Sequence, residues 1–213
     1  MFTLRNSSFN SCRFFFSAAL LISLVLLFSL AGAEARHSVL CAEEGLAGVP
    51  SLLVSHYEVQ GVSADEIRAE LDKLGPLDLS GRRRDAYTLW HISWCWPLRN
   101  DGQAEFARTV SNCEIRVTLP RLKRGLVFDG GLLEQWDAFY QAVLWHELKH
   151  LEIVLRNYSR VAEVIKAAYG HNSTLSVMEA NMLGRRVLEE IREQDRRLDE
   201  LTQNGRLEGV RFP

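Results

Sequence analysis

What this chain lacks narrows its class. It has four cysteines in 213 residues, none of them in a C-x-x-C pair, so a cysteine-built zinc site is not expected. It has no excess of charge of one sign. The net charge is −2 and the pI about 6.3, which gives no reason to expect nucleic acid or an anionic membrane as partner. The one short basic run, "GRRRD" at Gly81 to Asp85, reads as a solvated loop. No internal repeat and no low-complexity segment follows the N-terminal region. Beyond that region no run is long and apolar enough to span a bilayer.

The N-terminal region itself is distinctive. Met1 to Arg13 is polar and carries Arg5 and Arg13, and "FFFSAALLISLVLLFSL" (Phe14 to Leu30) is almost wholly apolar. Small residues follow at Ala31, Ala33 and Ala35. That order predicts a secretory signal peptide over residues 1–35, cleaved after residue 33 or 35. An uncleaved membrane anchor is the alternative. No adjacent arginine pair precedes the apolar run, so the general secretion route is expected. Residues 36–213 are then one exported domain, periplasmic or secreted, of roughly 180 residues, enough for a real core. Oxidising surroundings make one disulfide expected among Cys41, Cys95 and Cys113. The favoured pair is Cys95 with Cys113, because both lie in strand-like segments that could be neighbours.

Local patterning predicts an α+β fold: a small antiparallel sheet packed with one short and two long helices. "SLLVSHYEVQG" (Ser51 to Gly61) alternates loosely as a strand. "SADEIRAELDKLG" reads as a helix with Ser63 as N-cap and Glu66 completing a capping box. Trp90, Ile92, Trp94 and Trp96 share one parity, and so do Cys113, Ile115, Val117 and Leu119. Two facing antiparallel strands are expected there, with Pro120 ending the second or marking a sheet edge. From Leu132 to about Ala168 the period becomes helical, with Gly170 as the stop. Ser176 and Glu179 form a second capping box, opening a helix closed by Asn204-Gly205.

The chemistry is concentrated in "AVLWHELKH", Ala142 to His150. Residues i and i+4 of a helix share a face, so His146 and His150 can supply two corners of a zinc site. Glu147 lies near that face as general base, the mechanical content of H-E-x-x-H. The match does not extend to H-x-x-G-x-x-H, because "LEIVLRN" follows His150. A third ligand must come from elsewhere, most simply the next helix. Glu179, Glu190, Asp195 and Asp199 are the candidates, with His171 an outside one. His91 alternates with the tryptophan face as an ordinary strand residue. Tyr140, Tyr158 and His171 are available as oxyanion donors.

Several segments in order resemble a bacterial family of unknown function described as predicted secreted zinc-dependent proteases. They are "HYEVQGVSADEIRAELDKLGP", "AYTLWHISWCW", "VTLPRL", "WDAFYQAVLWHELKHLEI" and "LDELTQNGRLEGVRFP". The resemblance covers about Ser55 to Pro213. It implies a zincin-like fold, export, Zn2+ held by His146 and His150, and Glu147 as base. The closing segment departs from the family pattern: Leu198 replaces an aromatic residue and Asn204 stands where a histidine is expected, while Asp199 and Thr202 are retained. Asp199 is therefore the first choice for third ligand and Glu179 the second. The expected function is an exported zinc-dependent metallopeptidase acting on a protein or peptide substrate. "VTLPRL" would offer an edge strand for that substrate. The alternatives are a degenerate, non-catalytic binding module, which Asn204 favours, and a zinc hydrolase acting on cell-wall peptides.

Overall fold

The computed structural model describes residues 50–125 and 130–213. The expected signal peptide (residues 1–35) and Cys41 lie outside the described residues. Strand β1, Ser51–Val59, is followed by helix α1, Ala64–Leu74. The Ser63 side chain accepts the Glu66 N–H at 3.3 Å, as the capping signal predicts. The return bond is displaced by one residue, since Glu66 takes the Val62 N–H at 2.7 Å. Ile67 and Leu71 bury the apolar face of α1.

Strands β2, Tyr87–Cys95, and β3, Val110–Leu122, complete a three-stranded sheet of order β1-β3-β2. The fold is α+β, but the sheet is mixed, not antiparallel throughout. β2 runs antiparallel to β3, with Ile92 opposite Cys113. β1 runs parallel to β3, from Ser51 opposite Glu114 to Val59 opposite Leu122. Alternation reports which face a strand buries and is silent on the direction of its partner. Here β3 enters between its two predecessors. "VTLPRL" therefore belongs to the central strand, and the edge expected there is covered by β2 as far as Thr118. Pro120 is tolerated because the ladder with β2 ends at Tyr87 opposite Thr118, so only β1 flanks it.

The register also corrects the disulfide expectation. Cys113 is a free, buried thiol, and Cys95 is disulfide-bonded to another residue. Cys95 lies opposite Val110, three positions from Ile92, the partner of Cys113. An odd offset along a strand puts the two cysteines on opposite faces of the sheet, where no S–S bond can join them.

Helices α2, Gly130–Asn157, α3, Arg160–His171, and α4, Val177–Thr202, supply the second layer. The single helix expected from Leu132 to Ala168 breaks at Tyr158-Ser159. At the break the Asn157 amide donates to the Ile153 carbonyl at 2.7 Å, competing with the main-chain ladder. The capping box of α4 is complete, with Ser176 and Glu179 satisfying each other's backbone N–H groups.

Helix α2 packs across β2 and β3, and α4 packs against α2 and α3. After α4 the chain reverses through three successive left-handed residues, Gln203 (φ 52°), Asn204 (φ 55°) and Gly205 (φ 78°). A methyl group at Gly205 would lie 2.5 Å from Val210 Cγ2 and 3.1 Å from the His146 ring, so only glycine lets the turn close there. Phe212 is then buried against Trp136 and Phe139 of α2, with ring centroids 5.9 and 5.4 Å away. These contacts fasten the C-terminal segment across the helix that carries His146.

Candidate metal centre

His146 and His150 lie one turn apart on α2, and their Nε2 atoms are 3.3 Å apart. Asp199, in the last turn of α4, places Oδ1 3.2 Å from each of them. The three atoms form a nearly equilateral triangle. Tetrahedral zinc with bonds of about 2.0–2.1 Å requires its ligand atoms to stand about 3.3–3.4 Å apart. The donor set and its spacing therefore fit zinc with one corner left open.

The outer contacts decide which ring nitrogens face the centre. His150 Nδ1 lies 3.1 Å from Asp195 Oδ1, and His146 Nδ1 lies 3.0 Å from Glu208 Oε2. Each imidazole thus donates Nδ1–H to a carboxylate and turns its Nε2 lone pair inward, the arrangement that orients metal-ligating histidines. Two lone pairs and a carboxylate oxygen then converge. Such a cluster is repulsive unless a cation or additional protons occupy it. Asp195 is itself fixed by the indole N–H of Trp90 at 2.7 Å, and Glu208 by Lys149.

Glu147 is buried beside the histidines, and the Thr88 hydroxyl donates to its Oε2 at 2.6 Å. Burial pushes its carboxyl above the usual carboxylate range, against the pull of His150, the Thr88 bond and His146. In the absence of a cation, burial tends to lower His150, but hydrogen bonds to Asp195 and Asp199 outweigh it and push the imidazole up to about 10. Asp199 responds in the opposite sense: burial raises it, and both histidines hold it well below the usual range. A metal ion binding here displaces the histidine proton.

The cluster opens into a cleft of about 1220 Å³. Its walls come from β2 (Thr88 and Trp90 among others), the 78–86 loop, the inward face of α4 and the segment after Gly205. β2 is an edge strand and so carries a free edge. Asn204, where the resemblance led to the expectation of a histidine, accepts from Arg84 Nη1 at 2.5 Å. Arg84 in turn donates to Asp78 at 2.8 Å. Asn204 thus ties the 78–86 loop to the end of α4.

Of the residues singled out from sequence, His146, Glu147, His150 and Asp199 come together. Asp195 joins them from the outside, as a partner of His150. Glu179 does not join them: it is exposed and spent on the capping box at the far end of α4. Glu190 pairs with Arg160 at 2.7 Å, and His91 is an exposed strand residue. Tyr140, Tyr158 and His171 do not line the cleft. Sequence reasoning missed Thr88 and Glu208. Thr88 continues the parity of Trp90 and Ile92 but belongs to no motif, and Glu208 reaches His146 only through the left-handed turn. The glycine of "QNG" was the available signal for that turn.

The geometry is that of a small α+β domain with a candidate metal centre between two helices. The chain belongs to the bacterial family described as bacterial protein of unknown function (DUF922), which matches residues 54–205. No curated protein and no solved structure matches it.

Proposed function

We propose that this protein is an exported, zincin-like zinc metallopeptidase. One observation carries the reading: His146 Nε2, His150 Nε2 and Asp199 Oδ1 stand 3.2–3.3 Å apart, with both Nδ1 atoms committed to carboxylates. Zinc, when bound, supplies Lewis acidity that polarises a carbonyl and acidifies a water. Asp195 and Glu208 hold the two imidazoles in the ligating tautomer. Glu147 takes the proton from the attacking water and returns it to the leaving amine, and Thr88 fixes the rotamer in which it does so. A carboxyl raised by burial suits that task, since it is a stronger base toward the water than an ordinary carboxylate. The free edge of β2 gives an extended peptide a row of backbone partners above the cluster. Asn204 serves Arg84, so the absence of the expected histidine leaves the three donors whole, which weighs against the non-catalytic alternative. Export rests on the apolar segment Phe14 to Leu30 and the small residues after it.

The test is metal content followed by turnover. Dialysed protein should retain one zinc per chain, and His150→Ala should lose it. Glu147→Gln should keep the metal, while hydrolysis of an unstructured protein such as casein falls about 10²–10⁴-fold. Absence of stoichiometric zinc, or full activity in Glu147→Gln, would overturn the proposal.

A further inference from the structure

We infer that the cleft selects peptides with acidic side chains near the cleaved bond, and that Arg192 anchors a substrate carboxylate. The inference builds on the metallopeptidase reading and names its substrate class. The cleft is lined by many arginines, and their pairing divides them into two groups. Arg68 is neutralised by Asp72 and Asp85, and Arg84 by Asp78. Among the described residues, no carboxylate lies within ion-pair distance of Arg83, Arg192, Arg206 or Arg211, although all four line the cleft. The acids nearest the cluster are already engaged. Asp195 and Asp199 serve the histidines, and a divalent ion at the triad would satisfy them further. The lining holds seven arginines against six acidic side chains, so its positive character is local, carried by the four guanidiniums without a carboxylate partner.

Arg192 is the best placed of the four. It follows the spacing 192, 195, 199 along α4, so it shares a helix face with Asp195 and Asp199. Its guanidinium lies 5.8 Å from the centre of the Trp90 ring. The same indole donates to Asp195, which holds His150. Arg192 is therefore pre-positioned through Trp90, which is joined to the proposed ligand His150 by way of Asp195. Its guanidinium has no carboxylate partner among the described residues, and such a planar fork matches a carboxylate in two hydrogen bonds. Trp90 also belongs to β2, the free-edge strand. A peptide lying along β2 would project alternate side chains toward Arg192. Arg206 and Arg211 come from the segment after α4, so positive charge meets the substrate from a second wall.

The experiment measures binding apart from turnover. Two fluorescein-labelled decapeptides are compared, one with Asp and Glu at alternate positions and one with Asn and Gln in their place. Their affinities for zinc-supplied Glu147→Gln protein are read by anisotropy at low and high salt. The acidic peptide should bind at least tenfold tighter at low salt, with the margin shrinking as salt rises. Adding Arg192→Gln should cut the acidic-to-neutral ratio at least fivefold, and Arg192→Lys should retain part of it. Equal affinities for the two peptides overturn the inference, and an unchanged ratio in Arg192→Gln overturns the role of Arg192. Zinc content and wild-type cleavage of the same peptides judge the metallopeptidase reading separately. A protein that holds no zinc but prefers the acidic peptide keeps this inference and loses that reading. Cleavage without preference does the reverse.

Discussion

Replacing Asp195 by asparagine tests the centre through a residue that does not touch the metal. Asp195 accepts two hydrogen bonds at once, from His150 Nδ1 at 3.1 Å and from the Trp90 indole at 2.7 Å. An asparagine has one oxygen to offer and turns its NH2 toward the other donor. Either the imidazole or the indole is left facing a donor. If the imidazole loses, its tautomer and orientation are released, and zinc affinity should fall about 10–100-fold, or about 1.4–2.7 kcal/mol. Competition against a chromophoric zinc chelator reads this directly. Trp90→Phe removes the competing donor, so in the double variant the introduced amide is free to turn its oxygen to His150. Zinc affinity in Trp90→Phe/Asp195→Asn should therefore recover part of the loss seen in Asp195→Asn alone. Unchanged affinity in both Asp195→Asn and Asp195→Ala, the second of which leaves no acceptor for either donor, would refute the outer-carboxylate reasoning. A double variant no tighter than the single one would refute the competition between the two donors.

Gly205→Ala forces a side chain into a left-handed residue and against Val210 and His146, and should cost about 2–4 kcal/mol in chemical denaturation together with weakened zinc binding. Asp78 is raised by burial, but bonds from Ser80, Arg82 and Arg84 outweigh that and hold its carboxyl far below 3.8. Its folded-state value is depressed, so its stabilisation is present above the ordinary carboxylate range and is withdrawn as pH falls below about 4. The gap in Tm between wild type and Asp78→Asn should be widest near neutrality and narrow in acid. A gap that stays constant down to the acid limit would contradict this. Burial pushes the Cys113 thiol up to about 12. Iodoacetamide at neutral pH should therefore label Cys113 only after unfolding, which mass spectrometry of the labelled peptide will show.

The parts of the site readable in the sequence were those set by local geometry. His146, Glu147 and His150 needed only the helical repeat. Asp199 needed the expectation that the third ligand comes from the following long helix, plus the resemblance that favoured it over its neighbours. Glu179 shows the limit of such reading, because its place in the capping box also accounted for it fully. Capping and ligation compete for the same carboxylate, and capping prevailed at the helix start. Thr88 and Glu208 depend on which segments meet in space, and no local period carries that information. The same limit applies to the sheet. The parity of Cys113, Ile115, Val117 and Leu119 gave the buried face correctly. Nothing in that parity distinguished a parallel from an antiparallel neighbour, or a central strand from an edge. The error over Cys95 and Cys113 follows from this, since a pairing needs the register as well as the face.

The groups around the centre come from positions as distant as Thr88 and Glu208, and the three inward atoms hold their spacing only when strand, helices and tail are all in place. An ion that reads that spacing binds the folded chain and has little affinity for the unfolded one. Under the proposed zinc reading, metal supply would be a setting of stability: every tenfold rise in free zinc above its dissociation constant would add about 1.4 kcal/mol to the folded state. If the proposed zinc site is right, the protein's lifetime against unfolding and proteolysis would follow the zinc activity of its surroundings, whether or not it has any catalytic activity.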